Sequence, residues 1–214
     1  MSNDHHNSAD ALGHLPLEGL AASWVSVAEY PEQISEQLLV HFENEAWTIE
    51  GIVTTTTSSS SETAHNSETT HNSETTHYVL RLSATWHVQQ MLLFRDLDEP
   101  DLWLATDGRG VWGEVNGVQR RELGGCDDID IRTSAITRSL ALRRLDLPVG
   151  ASTDVHSIVV DPESLAITRA RLNYTRLGPR LWSVHRDDGL PSHEFSVDNY
   201  GLPLDIPGYY RRLS

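Results

Sequence analysis

Lysine is missing from the 214-residue chain: all 16 basic residues are arginine, set against 31 acids for a formal net charge of -15. Lysine ranks among the commonest residues of globular proteins, so its absence is a signal. An acid excess of this size repels nucleic acid and anionic membrane surfaces, and neither is expected as a partner. It also fits a halophilic protein from a salt-accumulating cytoplasm, where the Debye length shrinks to about 3 Å at 1 M and self-repulsion is screened. Codon usage in a GC-rich genome is the alternative source of the same bias.

Cysteine is nearly absent too, and Cys126 alone makes no internal disulfide, which agrees with a reducing compartment. Long apolar runs are missing, and Met1 to Pro16 lack the basic start and hydrophobic stretch of a secretory signal. The expectation is a cytoplasmic protein without stable membrane insertion. Phosphate-binding glycine loops, nucleophile and base pairs, and spaced metal-ligand clusters are also lacking, so neither cofactor nor metal is expected. Asp4-His5-His6 is an isolated fragment of a metallophosphoesterase signature without its companion motifs.

Helical periodicity is scarce. The segment after Pro31, PEQISEQLLVHF, predicts one or two helical turns, and Ser134 is placed to cap a short helix with Ile136, Leu140 and Arg143 on one side. What fills the chain is alternation. Tyr78, Leu80, Leu82, Ala84, Trp86 and Val88 alternate with polar neighbours and read as one long strand. Trp47 and Ile49 begin another. Asp107-Gly108 and Asn116-Gly117 are hairpin turn signals, and VHSIVV, LAITRARLNYTRL, RLWSVHR and HEFSVD follow at the spacing of a sandwich or barrel. The absence of βαβ alternation argues against a parallel nucleotide-binding sheet.

Residues 54–77 are low complexity, with the repeat HNSETT placing His65, His71 and His77 in equivalent positions. The tract reads as a polar insertion that lengthens a hairpin loop, since loop-closure entropy grows slowly with length. Metal binding by those histidines is the weaker reading, because no cysteine or carboxylate geometry fixes them. Residues 1–21 read as a disordered leader, and 22–214 as a single β domain.

Residues Gly124 to Leu147 concentrate the charged chemistry. On a strand, Asp128, Asp130 and Arg132 share one face. Two neighbouring carboxylates beside an arginine suit acid and base work, but alternation alone produces such a row, and a solvated face is the plain reading. Arg143 and Arg144 sit among leucines, and a guanidinium that points inward there has to pair with Asp127, Asp128 or Asp130, or with an anionic head group. Cys126, after two glycines and without a histidine partner, reads as a small buried thiol.

Three motifs then resemble the "putative glycolipid-binding" family, a domain of unknown function. Gly125, Cys126, Asp128 and Asp130 match its aspartate strand; Thr137, Leu140, Arg143, Arg144 and Leu145 its arginine segment; Asp198, Gly201, Leu202, Pro207 and Gly208 its closing motif. Arg138 stands where the family has asparagine, Ala135 and Ala141 replace prolines, and Ile206 replaces a tyrosine. The resemblance implies a mainly β fold, a long antiparallel sheet curled into a half-barrel around a short helical element, holding a lipid or glycolipid. Trp86, Trp103, Trp112 and Trp182 are candidates for an apolar wall, or else they fill an ordinary core. The expected ligand contacts are Trp86, Trp112, Tyr174, Asp128 and Asp130, with Arg143 and Arg144 near the polar end. A hydrolase using Asp128 and Asp130 with Arg144 or Tyr174, and a protein-interaction scaffold, are the competing readings.

Overall fold

The computed structural model describes residues 12–27, 32–63, 66–95 and 98–214. The strands in chain order are β1 (Leu20–Ser26), β2 (Glu32–Glu43), β3 (Ala46–Thr63), β4 (Asn66–Ser83), β5 (Val88–Phe94), β6 (Leu102–Thr106), β7 (Trp112–Glu114), β8 (Asp128–Ile131), β9 (Ser152–Val160), β10 (Ile167–Arg176), β11 (Leu181–Arg186), β12 (His193–Ser196) and β13 (Tyr210–Arg212). Two 3-10 segments, η1 (Arg121–Leu123) and η2 (Ile136–Arg143), interrupt them.

Sheet A runs β13-β1-β2-β3-β4-β5-β6-β7, antiparallel throughout. Sheet B runs β12-β11-β10-β9-β8, and only its β8 and β9 pair in parallel, joined by the crossover that contains η2. The fold is mainly β with a curled half-barrel, as the resemblance implies. Trp24, Val40, Ile49, Leu80, Met91 and Leu104 of sheet A meet Ile158, Leu172, Tyr174 and Val184 of sheet B in one buried cluster. The η2 segment buries every residue from Ile136 to Leu142, so it lies inside this interior and not on its surface.

The alternating segments of the second half form β9 to β12 as the pattern predicts, and both hairpin signals make turns. Asp107 Oδ1 accepts from the amides of Arg109 and Val111, and Gly113 bridges to Gln119 around Asn116-Gly117.

Four expectations change. The segment after Pro31 is strand β2, not helix: Glu36, Leu38 and Val40 face in while Gln37 and Leu39 face out, and pairing with β1 and β3 on both sides overrides a pattern that either period fits. The long strand ends at Ser83, and Val88 starts β5. Trp86 makes the turn with φ of 65°, a left-handed value uncommon for a bulky side chain. It is held by its amide bond to the Ser83 carbonyl and by its ring packing against Trp47 at 5.7 Å.

The low-complexity tract continues the strands themselves. Thr54 pairs with Thr75, Thr56 with Ser73, and the register runs on to Thr63 opposite Asn66. Threonine favours extended backbone, which suits the continued pairing. Residues 12–19, expected as part of a disordered leader, dock onto the domain: Leu15 is buried and the Gly13 amide donates to the Asn199 carbonyl. Residues 1–11, with Asp4 to His6, and also His65 lie outside the described residues.

Candidate ligand-binding site

Strand β8 is buried at all four residues, so its aspartates do not form a solvated face. Asp128 receives a two-pronged bond from Arg144, at 2.6 and 2.5 Å. Burial works against the charge of Arg144, and the hydrogen bonds and field of Asp128 outweigh it, so the guanidinium is held charged. Asp130 accepts from Arg186 at 2.5 Å and from the Thr137 hydroxyl, while Asp188 takes the other side of the same guanidinium. The partner that completes Asp130 comes from β11, well beyond the stretch where sequence reasoning placed it.

The remaining expected contacts have internal partners too. Arg143 donates to the carbonyls of Tyr200 and Gly13 and lies 4.7 Å over the Trp86 ring. Burial lowers its pKa to about 10, against the field of Asp198. Tyr174 donates to the Arg138 carbonyl, and burial, with Asp128 and Asp130 nearby, raises its pKa far above the ordinary tyrosine range. Trp112 donates its indole N–H to the Cys126 carbonyl. Cys126 itself is buried, its thiol pushed up to about 11, which fits an inert thiol. Trp86, Trp112 and Trp182 are packed in the core. Neither large groove described below is lined by any of the seven expected residues.

One buried cluster escaped sequence reasoning. Glu36 on β2 is fully buried, and its carboxylate accepts from the Tyr78 hydroxyl at 2.6 Å, the Ser134 hydroxyl at 2.5 Å and the Ala135 amide at 2.6 Å. Burial raises its pKa and these bonds oppose the rise. Gly51, opposite Tyr78 on β3, leaves room for that ring: a Cβ there would fall 2.0 Å from it.

Two open grooves flank the β2-β3-β4 region. The first, about 710 Å³, lies on the outward face, where Leu39, Ile52, Val79 and Phe94 are presented by alternation opposite the core. Leu39 and Ile52 are each 42% exposed. Val79 pairs with Leu92 and Leu92 with Trp103, so apolar side chains continue across β5 and β6, while Glu50 stands between Leu39 and Val79, and Gln37 and His77 flank Ile52. The second groove, about 770 Å³, is polar, with Glu32, Thr55, Thr57 and Glu74 facing Arg132 and Asp161. Arg95, bonded to Asp101 and to the Glu163 carbonyl, lines both.

A family model described as "Putative glycolipid-binding" matches residues 24–212. The chain belongs to this family. A solved structure of a DUF1089 family protein from Pseudomonas aeruginosa superposes with a TM-score of 0.66 at 24% identity, covering 83% of this chain and 92% of that one. At that identity the likeness shows a shared fold. No curated protein matches the sequence. Among the described residues no helix is long and apolar enough to cross a membrane.

Proposed function

We propose that the protein binds a lipid or glycolipid without acting on it, and that the ligand lies along the two grooves around Arg95 and not in a hollow core. One observation carries this reading: an exposed groove with Leu39, Ile52, Val79 and Phe94 around Glu50, and a groove rich in hydroxyls and carboxylates, meet at one arginine. That is the division an amphipathic molecule requires. An acyl chain over Leu39, Ile52, Val79 and Phe94 would contribute about 0.8 kcal/mol per buried methylene, less the entropy of association. Threonine hydroxyls, Glu32, Glu74 and Arg132 supply both donors and acceptors for a polar head. The family description points the same way.

In this reading the Asp128–Arg144 and Asp130–Arg186 pairs hold the sheets in place. The hydrolase reading requires both aspartates to give up buried arginines, which is costly. The scaffold reading uses the same exposed row, and a small sugar-headed amphiphile separates the two.

The test is native mass spectrometry of the full chain with dodecyl maltoside below its micellar concentration, alongside Ile52→Asp. We expect near-stoichiometric uptake by the parent and at least a roughly tenfold loss in the variant, since the substitution replaces an apolar contact with a second carboxylate on the same strand as Glu50. Equal uptake by parent and variant, or none by either, would overturn the assignment.

A further inference from the structure

Arg138 lies at the centre of η2 and is 4% exposed. Its Nη2 donates to the Arg132 carbonyl at 3.2 Å, but Nε and Nη1 meet no acceptor among the described residues. The guanidinium is faced by Tyr209 at 4.8 Å and Tyr210 at 6.0 Å. Aromatic faces offset part of the cost of burying a cation but supply no counter-charge. Arg144 and Arg186, in the same interior, each hold a carboxylate. Asp130, whose field reaches His193 and Tyr210, is already taken by Arg186 and Thr137.

A second unfilled valence sits beside it. His193 on β12 is 7% exposed, and its ring lies 5.3 Å from that of Tyr209. Its Nδ1 approaches the Pro191 carbonyl at 3.4 Å, and a carbonyl only accepts, so Nδ1 carries the proton. That leaves Nε2 as a buried acceptor, and it has no partner among the described residues. The cluster lies where the edge strand of sheet B, β12, meets the residue before the edge strand of sheet A, β13. Tyr209 is its half-buried member; Arg138, His193 and Tyr210 are buried.

We propose that Arg138 and His193 form a binding site for a protonated oxyanion, a hydrogen phosphate or phosphate monoester group, entered past Tyr209 at this seam. Nε and Nη1 lie on different edges of the guanidinium, each next to Nη2, so an oxygen of the anion at either edge meets one free charged donor. The P–OH of such a group supplies the donor that His193 Nε2 lacks. Sulfate carries the same tetrahedron but no proton near neutrality, so it leaves Nε2 unfilled and binds less well. The site is separate from the grooves around Arg95 and stands or falls independently of the amphiphile reading.

The test uses the full chain at constant ionic strength, with inorganic phosphate, sulfate and dodecyl phosphate as probes, followed by titration calorimetry and unfolding temperature. We expect saturable phosphate binding by the parent, with sulfate weaker by roughly tenfold, the worth of one hydrogen bond to a charged partner. Arg138→Gln loses at least that factor for phosphate while keeping dodecyl maltoside uptake. His193→Phe removes the preference for phosphate over sulfate, and it carries the test alone if the arginine variant does not fold. Binding of dodecyl phosphate only, lost in Arg138→Gln but kept in Ile52→Asp, would identify a lipid head group as the source; the same binding kept in Arg138→Gln would overturn the proposal, and binding of both probes would identify a free phosphate. Equal responses to phosphate and sulfate in the parent, or no saturable response to any of the three probes, would overturn the proposal.

Discussion

Sheet B gives its inward carboxylates to arginine, Asp128 to Arg144 and Asp130 to Arg186, whereas Glu36 on sheet A faces three neutral donors, Tyr78, Ser134 and Ala135. Both arrangements satisfy the oxygens. They differ in the partner's charge. The ion pairs supply a counter-charge and fix two strands and η2 against one another, and even there burial raises the Asp128 pKa against the pull of Arg144. The neutral cage supplies hydrogen bonds without a counter-charge, so burial wins and the Glu36 pKa rises. The contrast separates buried charges that have a counter-ion from those with neutral partners only, and Arg138, whose one side-chain hydrogen bond among the described residues goes to a carbonyl, is the cationic member of the second group.

The largest expected break in this comparison is Arg186→Met. It leaves Asp130 buried without its cation, and removing one partner of a buried pair typically costs about 3–5 kcal/mol. Urea unfolding measures it directly; a loss below about 1 kcal/mol would mean that Thr137 and solvent suffice for Asp130 and that the pair is not structural. Next comes Gly51→Ala on the other sheet. The added Cβ, 2.0 Å from the Tyr78 ring, drives the ring and its hydroxyl away from Glu36, with an overpacking cost of about 1–3 kcal/mol. An unchanged midpoint in the same experiment would show that the Tyr78 bond is dispensable and that Ser134 and Ala135 alone hold the carboxylate.

This division was only partly legible in the sequence, and the reasons are physical. Alternation reports which side of a strand is buried, so β9 to β12 and the start of β3 could be read directly. It says nothing about where a strand stops if the turn keeps the same parity, which is how Ala84-Thr85-Trp86 hid the β4–β5 turn. An arginine among leucines has to find an acid, so the Arg144–Asp128 pair was among the foreseen options. Glu36 gave no such signal, because its partners lie 42 and 98 residues away and are neutral. The outward apolar row was hidden for a different reason: Leu39, Ile52 and Val79 come from three strands and form a groove only once the register is known.

The smallest effect, and the sharpest test of the comparison, is the pH response of Glu36. Its pKa in the fold is raised above the ordinary 4.5, so between that value and the raised one the native state keeps a proton that the unfolded chain has released. The native state then binds more protons than the unfolded one, and this contribution to stability falls as pH rises through the window. Glu36→Gln removes the titration while Ser134 and Tyr78 rotate to accept from the new amide. The difference in unfolding free energy between parent and variant, followed by urea unfolding from about pH 4 to about pH 8, should therefore decline with rising pH. His193 acts in the opposite sense: burial lowers its pKa from 6.5 to about 4, so its contribution is lost as pH falls through that range. It cancels from the comparison because both proteins carry it. A flat difference would mean that three neutral donors offset burial completely, and that Glu36 needs no counter-charge to stay ionised in the fold.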